Sequence, residues 1–414
     1  TYVHHRRDGD QDIIFVVNSD RSCERDYLLA VPDRSEATVA EWDAVEGTCR
    51  KLQPERTDSE IRLRFTLPPA GSLLLTVGGD VEPAQAPRRR PDLTAGKAIN
   101  LGSEFDYELV DDNEIRGANV LPIDRIEVSF DGGVGFEPET PDWRLRRRLA
   151  ERFGTQAALE WQPWVAIRKG LFEGKGGDIV LRYRFDSDLD RPRCWAVVED
   201  LDKGELSVNG EKVRPTGGWH WDRAFKTADI SDLVRRGSNY IDFRVRYDHL
   251  TEVEPAYVIG DFGVKLADPF RGKLTRRPEK LAVGSWTEQG FPFYAGRVVY
   301  KTQADIPAEA ARVFLRLINP SGVLYRVRSN GRDVGTIMWR PWEIDLTGCV
   351  TPGANSIEIE VVSSLQNAWG PLHERSGDDN LWCGPNAFED EGMLREEINS
   401  YPYGLLGGAE IVIL

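Results

Sequence analysis

In IDFRVRY, residues 241–247, every second side chain is apolar: Ile241, Phe243, Val245 and Tyr247 alternate with Asp242, Arg244 and Arg246. Successive side chains of a strand point to opposite faces, so a period of two gathers the apolar groups on one side and the charges on the other. At the 3.6-residue period of a helix the same residues would be spread around the whole cylinder. IRLRFTL (61–67), LRYRF (181–185), VFLRL (313–317) and SIEIEVV (356–362) repeat the scheme. Turn signals fall between these runs: DGG at 131–133, NG at 209 and 330, and PG at 352. Half-buried strands joined by tight turns predict antiparallel sheets stacked face to face, an all-β chain.

A second regularity narrows the architecture. DISDLVRRGSNYI (229–241) and DLTGCVTPGANSI (345–357) align without a gap, matching Asp229 with Asp345, Val234 with Val350, Gly237 with Gly353, Asn239 with Asn355 and Ile241 with Ile357. Each copy follows a strand that ends in an Asn-Gly turn, LSVNGEKV or YRVRSNGRDVG, and each is followed by an alternating strand. The glycines supply the positive φ of a tight turn, and the asparagines can hydrogen-bond local backbone. Two related β-sandwiches are therefore expected, not one larger sheet.

With 414 residues the chain exceeds what one core serves. The best linker is VEPAQAPRRRP (81–91), and a weaker junction lies at 268–280, which divides the chain into domains 1–80, 92–272 and 276–414. Helical patterning is sparse. DWRLRRRLAERF (142–153) places Trp143, Leu145, Leu149 and Phe153 on one face and a dense basic set on the other, and EDEGMLREEI (390–399) is a second short candidate. The basic face can be read as an anion site or as an ordinary solvated face, and the latter is the expectation.

The net charge of −15 repels phosphate backbones and anionic lipids, and no apolar run approaches the roughly 20 residues that span a bilayer. Neither nucleic acid nor membrane is expected as a partner, and the chain reads as soluble. Five cysteines, odd in number and without CxxC spacing, indicate neither a disulfide framework nor a zinc site; a Cys23–Cys49 bridge is not the expectation. TYVHHRRDGD lacks the apolar core of a signal peptide, and its abrupt passage into IIFVVN suggests a piece of something longer. The compartment stays open, a periplasmic or secreted parent being compatible with it.

The repeated unit resembles the galactose-binding-like jelly roll that serves as a sugar-binding domain in large glycoside hydrolases, where VNG, an aromatic-led Asp segment and G-x-N-x-I follow in this order. GSWTEQGFPFYAGRVVY (284–300) and YPYGLLGGAEI (401–411) are similar to the entry and closing strands of such domains. HHRRDGDQDIIFVVNS, AEWDAVEGTCRKL (40–52) and LPPAGSLLLTV (67–77) look like the small β-domain that follows the barrel in glycoside hydrolase family 106, the α-L-rhamnosidases. WRLRRRLAERFG and EPAYVIGDFGV (254–264) are similar to further stretches of that family. The resemblance implies tandem β-sandwich, jelly-roll domains with a few short helices. It implies a non-catalytic, carbohydrate-oriented part beside an upstream catalytic domain that carries both carboxylates, so no catalytic position is transferred. An independent hydrolase or lyase, with its site between the second and third domains, and a purely structural brace remain the alternatives.

A sugar ring offers an apolar C–H face to a flat aromatic and hydroxyls to polar neighbours. GGWHWDRAF (217–225) offers Trp219, His220 and Trp221; MWRPWEID (338–345) offers Trp339, with Trp342 expected to pack internally. The long irregular stretch 366–388 holds Trp369, His373 and Trp382, with Asp378 and Asp379 as weak oxygen ligands for a structural calcium. No other cofactor is expected. A buried indole or a plain solvated loop is the competing reading for each. A lyase-like trio of Tyr325, Arg326 and His373 can be named but has no motif behind it, and GxSxG and phosphate-binding loops are absent.

Overall fold

A computed structural model describes residues 1–33, 37–44, 47–79, 92–113, 115–156, 163–268, 271–370, 372–373, 395 and 397–414. The proposed linker at 81–91 and most of the second helix candidate at 390–399 lie outside the described residues. The chain forms two units, Thr1–Ala95 and Gly96–Leu414.

The first unit is a β-sandwich. Strands Tyr2–Asp8, Gln11–Val17, Ser72–Val77, Val39–Asp43 and Thr48–Leu52 form one antiparallel sheet in that spatial order, and Arg25–Pro32, Glu60–Leu67 and Glu55–Arg56 form the other. Alternation decides which side chains meet: Ile61, Leu63 and Leu67 turn inward against Ile14, Val16 and Leu75. Cys49 is buried and Cys23 is exposed, and the two are not joined to each other.

The second unit holds two further sandwiches. In one, Asn119–Ile123, Ala256–Gly260, Cys194–Glu199, Asp222–Asp229 and Trp219–His220 pair antiparallel. Its facing sheet runs Thr140–Pro141, Arg125–Ser129, Gly177–Ser187, Gly237–Tyr247, Gly204–Val208 and Glu211–Val213. Ile241, Phe243, Val245 and Tyr247 are all buried in the shared core, each burial contributing roughly 1.5–3 kcal/mol. On the outer face Asp242 receives a two-pronged hydrogen bond from Arg182, its directly opposed neighbour, at 2.7 and 2.8 Å. Arg271–Thr275 meets Gly177–Ser187 in parallel, the one parallel pairing among the described strands.

The other sandwich is built from Leu281–Ala282, Glu104–Val110, Arg297–Ile306, Gly353–Val362, Leu324–Ser329 and Arg332–Ile337 in one sheet, and Glu343–Asp345, Val313–Leu317, Ala409–Ile413 and Lys97–Asn100 in the other. Two of these strands, Lys97–Asn100 and Glu104–Val110, precede the neighbouring sandwich in sequence but pair with Ala409–Ile413 and Arg297–Ile306. The chain thus opens this sandwich, builds its neighbour between residues 119 and 275, and returns to finish. The pairing crosses the sequence boundary drawn between 92–272 and 276–414.

The repeated segment is a side-chain clasp, reproduced bond for bond. Asn239 Oδ1 accepts from Arg235 N at 2.9 Å and from Asn209 Nδ2 at 2.8 Å, while its Nδ2 donates to the carbonyls of Arg235 and Gly237. Asn355 does the same with Thr351 N at 2.9 Å, Asn330 Nδ2 at 2.8 Å, and the carbonyls of Thr351 and Gly353. Gly237 and Gly353 sit at φ 92° and 90°, which only glycine adopts without cost. Asp229 and Asp345 each accept from the backbone N–H two residues on, at 3.0 and 2.9 Å. The clasp ties the turn after one strand to the Asn-Gly turn of its neighbour, which explains why the sequence is written twice.

Helices are few and short among the described residues: α1 (Asp142–Phe153), α2 (Pro163–Arg168) and α3 (Gln366–Trp369). In α1 the apolar face buries Leu145, Leu149 and Ala150, and Gly154, at φ 71°, ends it by donating its N–H back to the last turn. Arg144, Arg147 and Arg148 face solvent, as a basic solvated face predicts.

Candidate binding pocket

Strand register places three pocket residues on one sheet face. Glu199, the last residue of its strand, lies directly opposite Phe225, and Val197, two residues earlier, lies opposite Tyr257. A step of two keeps the face, so Glu199, Phe225 and Tyr257 point the same way. Glu252, Glu254 and Pro255 lead into the Tyr257 strand, and Asp124 follows the strand that flanks it. The first turn of α1 adds Asp142, Trp143 and Arg146; the Asp142 N–H donates to the Asp124 carbonyl at 2.8 Å, which fixes the helix start against that corner. Trp369, Leu372 and His373 close the far side. These residues enclose an open cavity of about 500 Å³, within the range of small-ligand sites.

The walls are aromatic and acidic. Trp369 is 37% exposed, with its ring 5.5 Å from Phe225 and 6.1 Å from Trp221. Trp143 lies 5.0 Å from the His373 imidazole. His373 and Asp124 are both buried, and His373 Nε2 donates to Asp124 Oδ2 at 2.7 Å. Arg146 Nη2 donates to Glu254 Oε1 at 2.5 Å. Burial, with the Asp124 carboxylate close by, pushes the Asp142 carboxyl up to about 7. Burial, with Glu254 and Glu252 as further causes, lifts Glu199 to about 7 as well. Glu254 is raised by burial against the opposing pull of Arg146. Carboxyl groups raised this far in a cleft make it a candidate functional site. Among the described residues, no three His, Cys, Asp or Glu are grouped to hold a metal ion.

Of the residues singled out by sequence, the cavity brings together Trp369 and His373. Stretch 217–225 is a bulged hairpin end and not an open loop. His220 is 1% exposed, and burial lowers it to about 4, so its imidazole is neutral and sealed from solvent. Trp221 takes φ 60°, a strained value for a side-chain-bearing residue, and packs behind the cavity 5.0 Å from Tyr257. Trp219 is half-buried opposite Lys226. Trp339 is 52% exposed and stands outside the cavity, while Trp342 is half-buried, edge-on to Tyr325 at 5.5 Å. Tyr325 is buried in the core of the other sandwich, away from His373, so the lyase-like trio does not assemble. Trp382, Asp378 and Asp379 lie outside the described residues.

Sequence reading missed Asp124, Asp142, Trp143, Arg146, Glu199, Phe225, Glu252, Glu254 and Tyr257. The available signal was positional: Glu199, Asp124 and the Glu252–Glu254 pair interrupt or border apolar runs at strand ends, where loops and binding residues collect.

No family model matches the sequence, and no curated protein sequence matches it. Among solved structures the chain is similar to a rhamnosidase from Novosphingobium sp. PP1Y, with 14% identity over 99% of this chain and 23% of that one and a TM-score of 0.37. It is also similar to an α-L-rhamnosidase from Streptomyces avermitilis complexed with L-rhamnose, with 13% identity, 86% and 35% coverage and a TM-score of 0.23. A glycosyl hydrolase family 2 member from Bacteroides cellulosilyticus DSM 14838 matches at 15% identity, 59% and 32% coverage and a TM-score of 0.23. The chain spans between about a quarter and a third of the length of these proteins. At these TM-scores the likeness decides nothing about the cavity, whose reading rests on its own residues. No helix among the described residues is long and apolar enough to cross a membrane.

Proposed function

We propose that the chain is a non-catalytic, carbohydrate-binding β-sandwich part of a glycoside hydrolase resembling the family 106 α-L-rhamnosidases, working beside a catalytic barrel. The cavity under Trp369 is its sugar pocket. The observation that carries this reading is the wall composition: a part-exposed indole for the C–H face of a ring, with Asp124, Asp142, Glu199 and Glu252 set around it for hydroxyl groups. Asp142 and Glu199, raised to about 7, serve both as donors and as acceptors at neutral pH, which suits a hydroxyl that is both.

Stacking on Trp369 supplies about 1 kcal/mol, so Trp369→Ala weakens binding several-fold while leaving the melting temperature within a degree or two. Calorimetric titration of L-rhamnose and rhamnose-containing oligosaccharides into both proteins, with melts alongside, checks this. Unchanged affinity with a large loss of stability makes the indole a packing element and removes the proposal.

One observation favours a second reading, catalysis in the same cavity: Asp142 and Glu199 are both held at about 7. Glycoside hydrolysis divides labour between an acid and an ionised partner, and sites achieve this by pushing two pKa values apart. Here burial raises both, so neither is singled out as the ionised partner. The whole chain is expected to show no turnover of aryl rhamnosides or other aryl glycosides. A rate abolished by Asp142→Asn or by Glu199→Gln would reverse the ranking.

A further inference from the structure

We propose that the pocket selects a sugar carrying a protonated amine, an amino sugar or amino-oligosaccharide, and discriminates against uronic acids; this rests on the sugar-binding reading of the same cavity. Its charge is lopsided. Among the described residues five carboxyl groups line it, those of Asp124, Asp142, Glu199, Glu252 and Glu254, against two side chains that can be cationic, Arg146 and His373. Both of the latter are already engaged, Arg146 by Glu254 at 2.5 Å and His373 by Asp124 at 2.7 Å. Asp142, Glu199 and Glu252 are left without an ion pair to any described Lys or Arg.

The remaining wall surface is π-rich. Trp143, Phe225, Tyr257 and Trp369 also line the cavity, and aromatic rings attract cations through their faces. A neutral sugar would satisfy the hydroxyl acceptors but would bring no counter-charge to acids that, among charged groups, only Arg146 draws toward ionisation. An ammonium group adds what the pocket lacks, a charge of opposite sign within reach of both carboxylate and ring. A carboxylate-bearing sugar would add to the repulsion. Burial and mutual repulsion hold part of the acid set protonated in the empty pocket, so an entering ammonium drives protons off as it binds.

The test is calorimetry at pH 6.5 with three trimers: glucosamine, N-acetylglucosamine and galacturonate, with L-rhamnose and cadaverine as controls. The glucosamine trimer is expected to bind at least about tenfold more tightly than its acetylated counterpart, to weaken as salt rises, and to release protons, read from two buffers of different ionisation enthalpy. Asp142→Asn combined with Glu199→Gln, both isosteric, erases the preference. If the acetylated trimer or L-rhamnose binds as well as or better than the glucosamine trimer, the amine selection is wrong and the sugar pocket stands. If galacturonate binds best, the charge argument is inverted. If cadaverine equals the glucosamine trimer, or no sugar binds at all, the sugar-binding reading itself falls.

Discussion

Asn239→Ala is expected to destabilise the unit that contains it by about 3 kcal/mol, and Asn355→Ala by a similar amount. Both side chains are fully buried, and each closes its turn with four hydrogen bonds. Truncation leaves the Arg235 N–H and the carbonyls of Arg235 and Gly237 without the group that satisfied them, and the equivalent groups around Thr351 and Gly353 likewise. Orphaned buried polar groups cost roughly 1–3 kcal/mol each, and partial relaxation toward water keeps the total below the plain sum. Asn239→Asp is expected to be nearly as harmful, because it keeps the acceptor but loses both donated bonds. Urea denaturation of the whole chain, followed by tryptophan fluorescence, reads the effect; a loss below about 1 kcal/mol in both variants would show that the clasp is ornamental.

The second large effect has the opposite sign. Asp142→Asn with Glu199→Gln should stabilise the second unit at pH 8 and leave it unchanged at pH 4. Each carboxyl is raised from its ordinary value, 3.8 for Asp142 and 4.5 for Glu199, to about 7 in the folded protein. A raised acid favours the folded state only while protonated: its contribution is intact below the unfolded pKa and is lost as pH climbs through the folded one. The window therefore runs from about pH 4 to just above 7. At roughly 1.4 kcal/mol per pH unit, and halved because the cavity is open to solvent, the two groups together come to about 4 kcal/mol. His220, buried neutral and lowered to about 4, works the other way, losing its contribution as pH falls between 6.5 and 4. Comparing variant with parent at each pH cancels it. A gain that does not vary with pH would mean the acids are not electrostatically crowded.

Much of the architecture was legible because alternation is a local signal. IDFRVRY and SIEIEVV announce which side chains go inward, and the structure places them there. The Gly-x-Asn pair was legible for the same reason: a turn and its clasp lie within a few residues. Sheet membership is different. KAIN and EFDYELV read as strands wherever they belong, and nothing local says that Glu104–Val110 pairs with Arg297–Ile306 and not with a nearer strand. The pocket shows the same divide. Trp369 and His373 were found because they interrupt a pattern, whereas Asp124, Asp142, Glu199 and Glu254 sit in four segments that only the strand register gathers. His220 looked like a loop side chain because Gly217 and Gly218 precede it; the bulge beside it turns the imidazole inward.

The interleaved path of the second unit bears on how the chain is made. Strand Glu104–Val110 leaves the ribosome roughly 190 residues before Arg297–Ile306, the neighbour it hydrogen-bonds along Asp106–Val110. At about 5–20 residues per second that is some ten to forty seconds during which a strand with its apolar side chains, Phe105 and Leu109, has no neighbour from that part of the sheet. An intact sandwich, residues 119–275, can meanwhile mature on the tether and hold the waiting strand away from other nascent chains. Translation speed over residues 276–300 then becomes a determinant of yield: a pause there prolongs the exposure of an unprotected strand edge, the element most prone to capture by a second molecule.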